Sequence, residues 1–185
     1  MEVKDVANNI SEVLFTEEQL YARLDELAAE IDAEYEGKEP PVLVGILRGS
    51  VPVTYELAKR LKTNVRFDWV AISSYQDSMT STGKFLIEKD ITLNLQGKNV
   101  IVVDDIYDTG DTLLWMKGRI KDAGATNVDL FALLEKPEVH KHSFKPKYVG
   151  FEVPNKFVVG FGLDFRQQYR HLRAICVLSP HVYEQ

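Results

Sequence analysis

Apolar positions along this chain fall into two periods. Val42 to Leu47, Val100 to Val103 and Val128 to Leu134 are nearly unbroken apolar runs, the pattern of short strands buried on both faces of a sheet. Between them, Leu20, Leu24, Leu27 and Ile31, then Val53, Leu57 and Leu61, then Leu113, Leu114, Met116 and Ile120 recur at helical spacing. Thr16-Glu17-Glu18-Gln19 reads as a capping box that opens the first helix, which should end near Gly37, ahead of Pro40-Pro41. Ser50 is a candidate cap for the second, with Pro52 tolerated in its first turn. The third opens at Thr112 and ends at Gly124. Val65 to Ile72 alternates as a strand, and Tyr148 to Phe151 and Lys156 to Gly162 read as two more around Pro154-Asn155. Strands and helices in alternation predict an α/β fold.

Composition narrows the class. A chain of 185 residues with 45% apolar content forms one domain with a real core. Its 22 basic and 28 acidic side chains give a net charge of −6, which argues against duplex binding but leaves room for a local basic cleft. No apolar run reaches the ~20 residues of a membrane span, and MEVKDVANNI lacks a signal peptide's apolar segment. The single cysteine, Cys176, lies in the apolar run AICVL and is expected as a buried core thiol. The expected protein is cytoplasmic, with no nucleic-acid or membrane partner.

The chemistry concentrates in Asn99 to Leu113, NVIVVDDIYDTGDTL. The strand run stops at Asp104-Asp105, a turn with Asp108, Thr109 and Gly110 follows, and a helix begins. Carboxyl ends of strands are where open α/β sheets bind ligands, and main-chain N–H groups at a helix start suit a phosphate. Asp104, Asp105, Asp108 and Asp111 repel one another unless a hard cation compensates them, and Mg²⁺ usually arrives with substrate phosphates. The plain alternative is that Asp108 or Asp111 caps the helix. Leu47-Arg48-Gly49-Ser50 is a second strand-to-helix turn, carrying a cation, a glycine and a hydroxyl suited to a phosphate, or an ordinary tight turn. Ser73 to Lys84 is polar and aperiodic, either a hairpin tip or a functional lid. Lys136 stands alone at the end of the Val128 to Leu134 strand, while His140 and His142 read as solvated. Phe157 reads as a core aromatic, and Asp164 with Arg170 as a surface ion pair. Gly160-Phe161-Gly162 is no dinucleotide fingerprint, because no helix follows where one is required.

The central stretch resembles the sugar-phosphate motif of the type I phosphoribosyltransferases, and YVGFEVPNKFVVGFGLDFRQQYRHL resembles the purine pocket of their hypoxanthine-guanine members. The resemblance spans roughly residues 10 to 180. It implies a central, mostly parallel twisted sheet flanked by helices, one domain over residues 1–185 with a core at about 38–150 and a small hood over the base site from the chain's two ends. It also implies a mobile loop over residues 73–84, starting at Ser74 and Tyr75, that closes over the site.

For the site residues, the resemblance implies that Asp104 and Asp105 hold ribose hydroxyls and Mg²⁺. Thr109, Gly110, Asp111 and Thr112 grip the 5′-phosphate, and Asp108 takes the purine N7 proton. Leu47, Arg48, Gly49 and Arg170 meet the pyrophosphate, with the Leu47–Arg48 peptide able to be cis. Lys136 bonds the 6-oxo group, Phe157 stacks on the base, Val158 meets its edge, and Asp164 binds a second Mg²⁺. The partners implied are phosphoribosyl pyrophosphate, a 6-oxopurine and further copies of the chain, as dimer or tetramer. Two departures stand out. Asp104 replaces a common Glu, shortening its reach, and Tyr107 replaces a small aliphatic, adding bulk near the base pocket.

Overall fold

The computed structural model describes residues 1–75 and 84–184. Six strands form the main sheet in the order β4-β3-β2-β5-β6-β7: β2 (Val42–Leu47), β3 (Arg66–Tyr75), β4 (Lys84–Lys89), β5 (Asn99–Tyr107), β6 (Asn127–Glu135) and β7 (Tyr148–Glu152). All neighbours run parallel except β3 and β4. Alternation across the pleat divides the sheet's apolar side chains between two layers. Leu43, Ile101, Val103, Phe131 and Leu133 pack with α1 (Glu17–Glu34) and α2 (Val51–Arg60). Val42, Val44, Val100, Val102 and Leu130 pack with α3 (Asp111–Asp122).

The first two helices begin where the sequence put them, with one difference in chemistry. Thr16 Oγ1 accepts from Gln19 N at 3.3 Å and Gln19 Oε1 from Thr16 N at 2.9 Å, closing the capping box. Leu20, Leu24, Leu27 and Ile31 are wholly buried, each contributing about 1.5–3 kcal/mol. Ser50, however, does not cap α2: its hydroxyl is buried and donates to the Ile46 carbonyl at 2.6 Å.

A second, antiparallel sheet of order β1-β9-β8 joins β1 (Ile10–Phe15) to β9 (Ile175–Leu178) and β8 (Val158–Val159). Ile175 and Val177 on one face join the main core. Cys176 and Leu178 on the other pack with Tyr169 and Leu172. The strand expected over Lys156 to Gly162 shrinks to β8, because Gly160, Phe161 and Gly162 turn to positive φ of 101°, 47° and 107°. A short α4 (Pro180–Tyr183) follows β9.

The polar stretch at 73–84 is also corrected. Its ends are strand, with Ser74 paired to Phe85 and Tyr75 to Lys84 in the β3–β4 ladder. The rest of the expected lid, 76–83, lies outside the described residues. Among the described residues no helix is long and apolar enough to cross a membrane.

Candidate active site

The carboxyl ends of β2, β5 and β6 meet at one edge of the sheet. β5 does not stop at its acidic pair, because Tyr107 still pairs with Glu135 of β6. Asp104 and Asp105 therefore stand within the strand, Asp104 buried and Asp105 half-buried. Asp105 N donates to Asp104 Oδ1 at 3.1 Å. Burial, with the neighbouring Asp105 charge, pushes the Asp104 carboxyl well above the usual range. Burial also raises Asp105, against hydrogen bonds and the nearby Arg170 that favour its charge. Two carboxyl oxygens sets that cannot both ionise without help form an oxygen-only site suited to a hard cation. Among the described residues no three His, Cys, Asp or Glu side chains group to hold a metal.

Gly110 makes the turn that follows. Its φ of 92° is left-handed, so a glycine fits the N-cap of α3 without strain. α3 thus opens at Asp111, one residue earlier than expected, and neither Asp108 nor Asp111 caps it. Asp108 is exposed. A small cavity of about 50 Å³ lies under the turn, lined by Asp104, Asp108, Thr109, Gly110 and Thr112 among others. The Asp111 carboxylate has three partners at the helix start. It accepts from His142 Nε2 at 2.7 Å, Lys141 Nζ at 3.1 Å and Thr109 Oγ1 at 3.0 Å. The His142 and Lys141 bonds, against slight burial, hold its pKa down to about 2.

One sequence expectation fails here. His140 and His142 are not free in solvent, since His140 stacks on Tyr107 and His142 bonds Asp111. Tyr107 is buried beneath the turn, with its ring stacked on His140 at 3.8 Å and on Phe144 at 5.0 Å. The ring lies against Gly110, and its hydroxyl donates to the Phe144 carbonyl at 3.1 Å. The segment after β6 folds back over the turn, which local periodicity does not reveal.

Around this centre the remaining candidates divide into groups. The Leu47–Arg48 peptide is cis, and Arg48 Nη1 donates to Gln167 Oε1 at 3.1 Å. The same oxygen accepts from Arg170 Nη2 at 3.0 Å, and that guanidinium pairs with Asp164 at 2.9 Å. Gln167, absent from the sequence reading, bridges the two cations, and nothing in RQQYR marked it. The main-chain N–H of Lys136 donates to the Tyr107 carbonyl at 2.9 Å. The Lys136 side chain is buried, yet among the described residues it forms no hydrogen bond and no ion pair. Phe157 is exposed rather than core, stacked on Tyr183 at 5.3 Å and edged by Phe165 at 5.6 Å, while Val158 is buried. These rings belong to the small sheet and its neighbours. A cavity of about 770 Å³ lies at the other end of the strands, beside Asp32, Tyr35 and Lys62, and is lined by none of these candidates.

Residues 12–166 match the family model of the phosphoribosyl transferase domain. The chain is 42% identical over 182 residues to a hypoxanthine-guanine phosphoribosyltransferase of Lactococcus lactis, covering 98% of each. It is 40% identical over 178 residues to one of Streptococcus agalactiae, covering 96% of this chain and 98% of the relative. The crystal structure of a hypoxanthine phosphoribosyltransferase from Staphylococcus aureus superposes with a TM-score of 0.92 at 38% identity, covering 98% of both chains.

Proposed function

The chain belongs to the phosphoribosyl transferase family, and from that premise we propose that it transfers the 5-phosphoribosyl group of phosphoribosyl pyrophosphate to hypoxanthine or guanine. The products are IMP or GMP and pyrophosphate. The observation that carries the base assignment is Lys136. Most of the Lys136 side chain is buried and its main chain is tied to the strand of the acidic pair, which sets a cation at this edge of the sheet to donate to a ligand oxygen. A 6-oxopurine supplies that oxygen, whereas adenine presents a donor and is rejected.

The sugar C1 passes through a state with oxocarbenium character as the pyrophosphate departs and the base nitrogen arrives from the opposite face. The Thr109 to Thr112 turn holds the 5′-phosphate through main-chain N–H groups at the start of α3. Asp104 and Asp105 bind the ribose hydroxyls and are the residues that would hold Mg²⁺, which when bound offsets negative charge on the pyrophosphate. Arg48 and the Gly49 main chain orient the leaving group, and Arg170 neutralises it. Asp164, which pairs with Arg170 at 2.9 Å, would hold a second Mg²⁺ beside the base, where the ion would add to the neutralisation of charge. Exposed Asp108 accepts the N7 proton of the purine. Phe157 stacks on the base and Val158 meets its edge. We place the enzyme in the cytoplasm, where a single buried thiol needs no disulfide, as a homo-oligomer of two or four copies.

The test is pyrophosphate release from phosphoribosyl pyrophosphate and Mg²⁺ with one base at a time. Release with hypoxanthine and guanine but not with adenine or uracil is expected. Release with no base present, or with adenine alone, would contradict the assignment.

A further inference from the structure

The turn assigned to the 5′-phosphate carries a carboxylate at its helix start, which the phosphate should not tolerate. A helix N-terminus attracts anions because its first N–H groups are unpaired and the peptide dipoles align. Asp111 is the first residue of α3, and its Oδ2 accepts a hydrogen bond from the Thr109 hydroxyl at 3.0 Å. Left free, that side chain would compete with a phosphate for the main-chain donors and repel it. The structure shows how the conflict is avoided. The segment after β6 returns over the turn, and Lys141 N donates to the Thr109 carbonyl at 3.0 Å. From there Lys141 Nζ and His142 Nε2 reach both oxygens of Asp111, at 3.1 and 2.7 Å. The stack of Tyr107, His140 and Phe144 fixes that segment from below.

We infer that Lys141 and His142 are positioning residues for 5′-phosphate binding: they hold the Asp111 carboxylate off the phosphate and cancel its charge. This rests on the phosphoribosyl reading of the turn. It adds that phosphate affinity here is set by residues some thirty positions away, which contact Asp111 and not the ligand. A surface ion pair alone is worth little to stability. Its effect is on the ligand, because a released carboxylate a few ångströms from a dianion weakens binding by about tenfold even with water-like screening.

The experiment compares calorimetric binding of IMP and of inosine, which lacks the phosphate, across four chains: unmodified, Lys141→Ala with His142→Ala, Asp111→Asn, and all three together. The double variant should bind IMP about tenfold more weakly with inosine binding unmoved. Adding Asp111→Asn should restore IMP affinity to that of Asp111→Asn alone, since no charge is left to cancel. A triple variant as weak as the double, or a double variant that binds IMP as the unmodified chain does, would overturn the inference while leaving the reaction intact. An unmodified chain that binds no IMP would instead sink the phosphoribosyl reading, and this inference with it.

Discussion

The Asp105 carboxylate occupies the space that a side chain on Gly49 would need. A Cβ on Gly49 would fall 1.6 Å from Asp105 Oδ2 and 2.5 Å from its Cγ. The β2 turn and the β5 acidic pair are therefore in direct contact, and only glycine permits it. Gly49→Ala must displace the carboxylate. Its kcat/KM should fall by about 100-fold, the usual result of a misplacement near 1 Å, while a thermal melt still shows one cooperative transition. Activity within twofold of the unmodified chain would mean that the contact has no part in catalysis.

Lys136→Met keeps the buried stem of the side chain and removes its cation. The change should lower kcat/KM for hypoxanthine by about 10²–10³, as loss of one oriented donor does, while the melting temperature stays within a few degrees of the unmodified chain. Unchanged kcat/KM would remove Lys136 from recognition of the base.

Asp108→Asn tests the proton acceptor. The amide keeps the size but cannot take the N7 proton, so kcat should drop by about 10²–10⁴, with the KM for phosphoribosyl pyrophosphate little changed. Unchanged kcat would remove Asp108 from the chemistry.

Asp68 is a purely structural carboxylate. It accepts from Trp69 N at 2.7 Å, Thr92 N at 2.6 Å and Leu93 N at 2.9 Å, tying β3 to the segment after β4. Burial works to raise its pKa, but those N–H donors and the Thr92 hydroxyl outweigh it and hold the group well below the usual range. A depressed folded pKa contributes stability above the ordinary carboxylate value and loses it as pH falls through the folded one. Asp68→Asn should cost about 2–3 kcal/mol near pH 7, and the gap should narrow progressively below pH ~4. Denaturant melts at several pH values check this, and a gap that widens in acid would reverse the sign argued here.

Cys176 should be inert. Burial in the β1-β9-β8 sheet pushes its thiol up to about 11, so at pH 8 a thiol reagent should react only at the rate of unfolding. Rapid labelling of the native chain would show that the small sheet opens.

What the sequence revealed and what it hid follow from the range of the interactions. Val100 to Val103, the Thr16 capping box and the helical stripe of α1 were legible because their signals lie within a few neighbouring residues. The order of acidic pair, Thr109-Gly110 and helix start was legible for the same reason. Strand ends were not: β3 reaches Tyr75 and β5 reaches Tyr107 only because a partner strand continues beside each. β1 pairs with β9 across 160 residues or more, and β8 has two residues, too few to show a period. Tyr107 beneath the turn, Gln167 between two arginines and His142 on Asp111 depend on how distant segments return, which neither spacing nor composition encodes.

The central claim is met most directly by offering one reaction mixture equal amounts of hypoxanthine, guanine, adenine and uracil with phosphoribosyl pyrophosphate and Mg²⁺, and separating the nucleotides formed. IMP and GMP alone are the predicted products. AMP or UMP among them, or no nucleotide at all, would contradict the account.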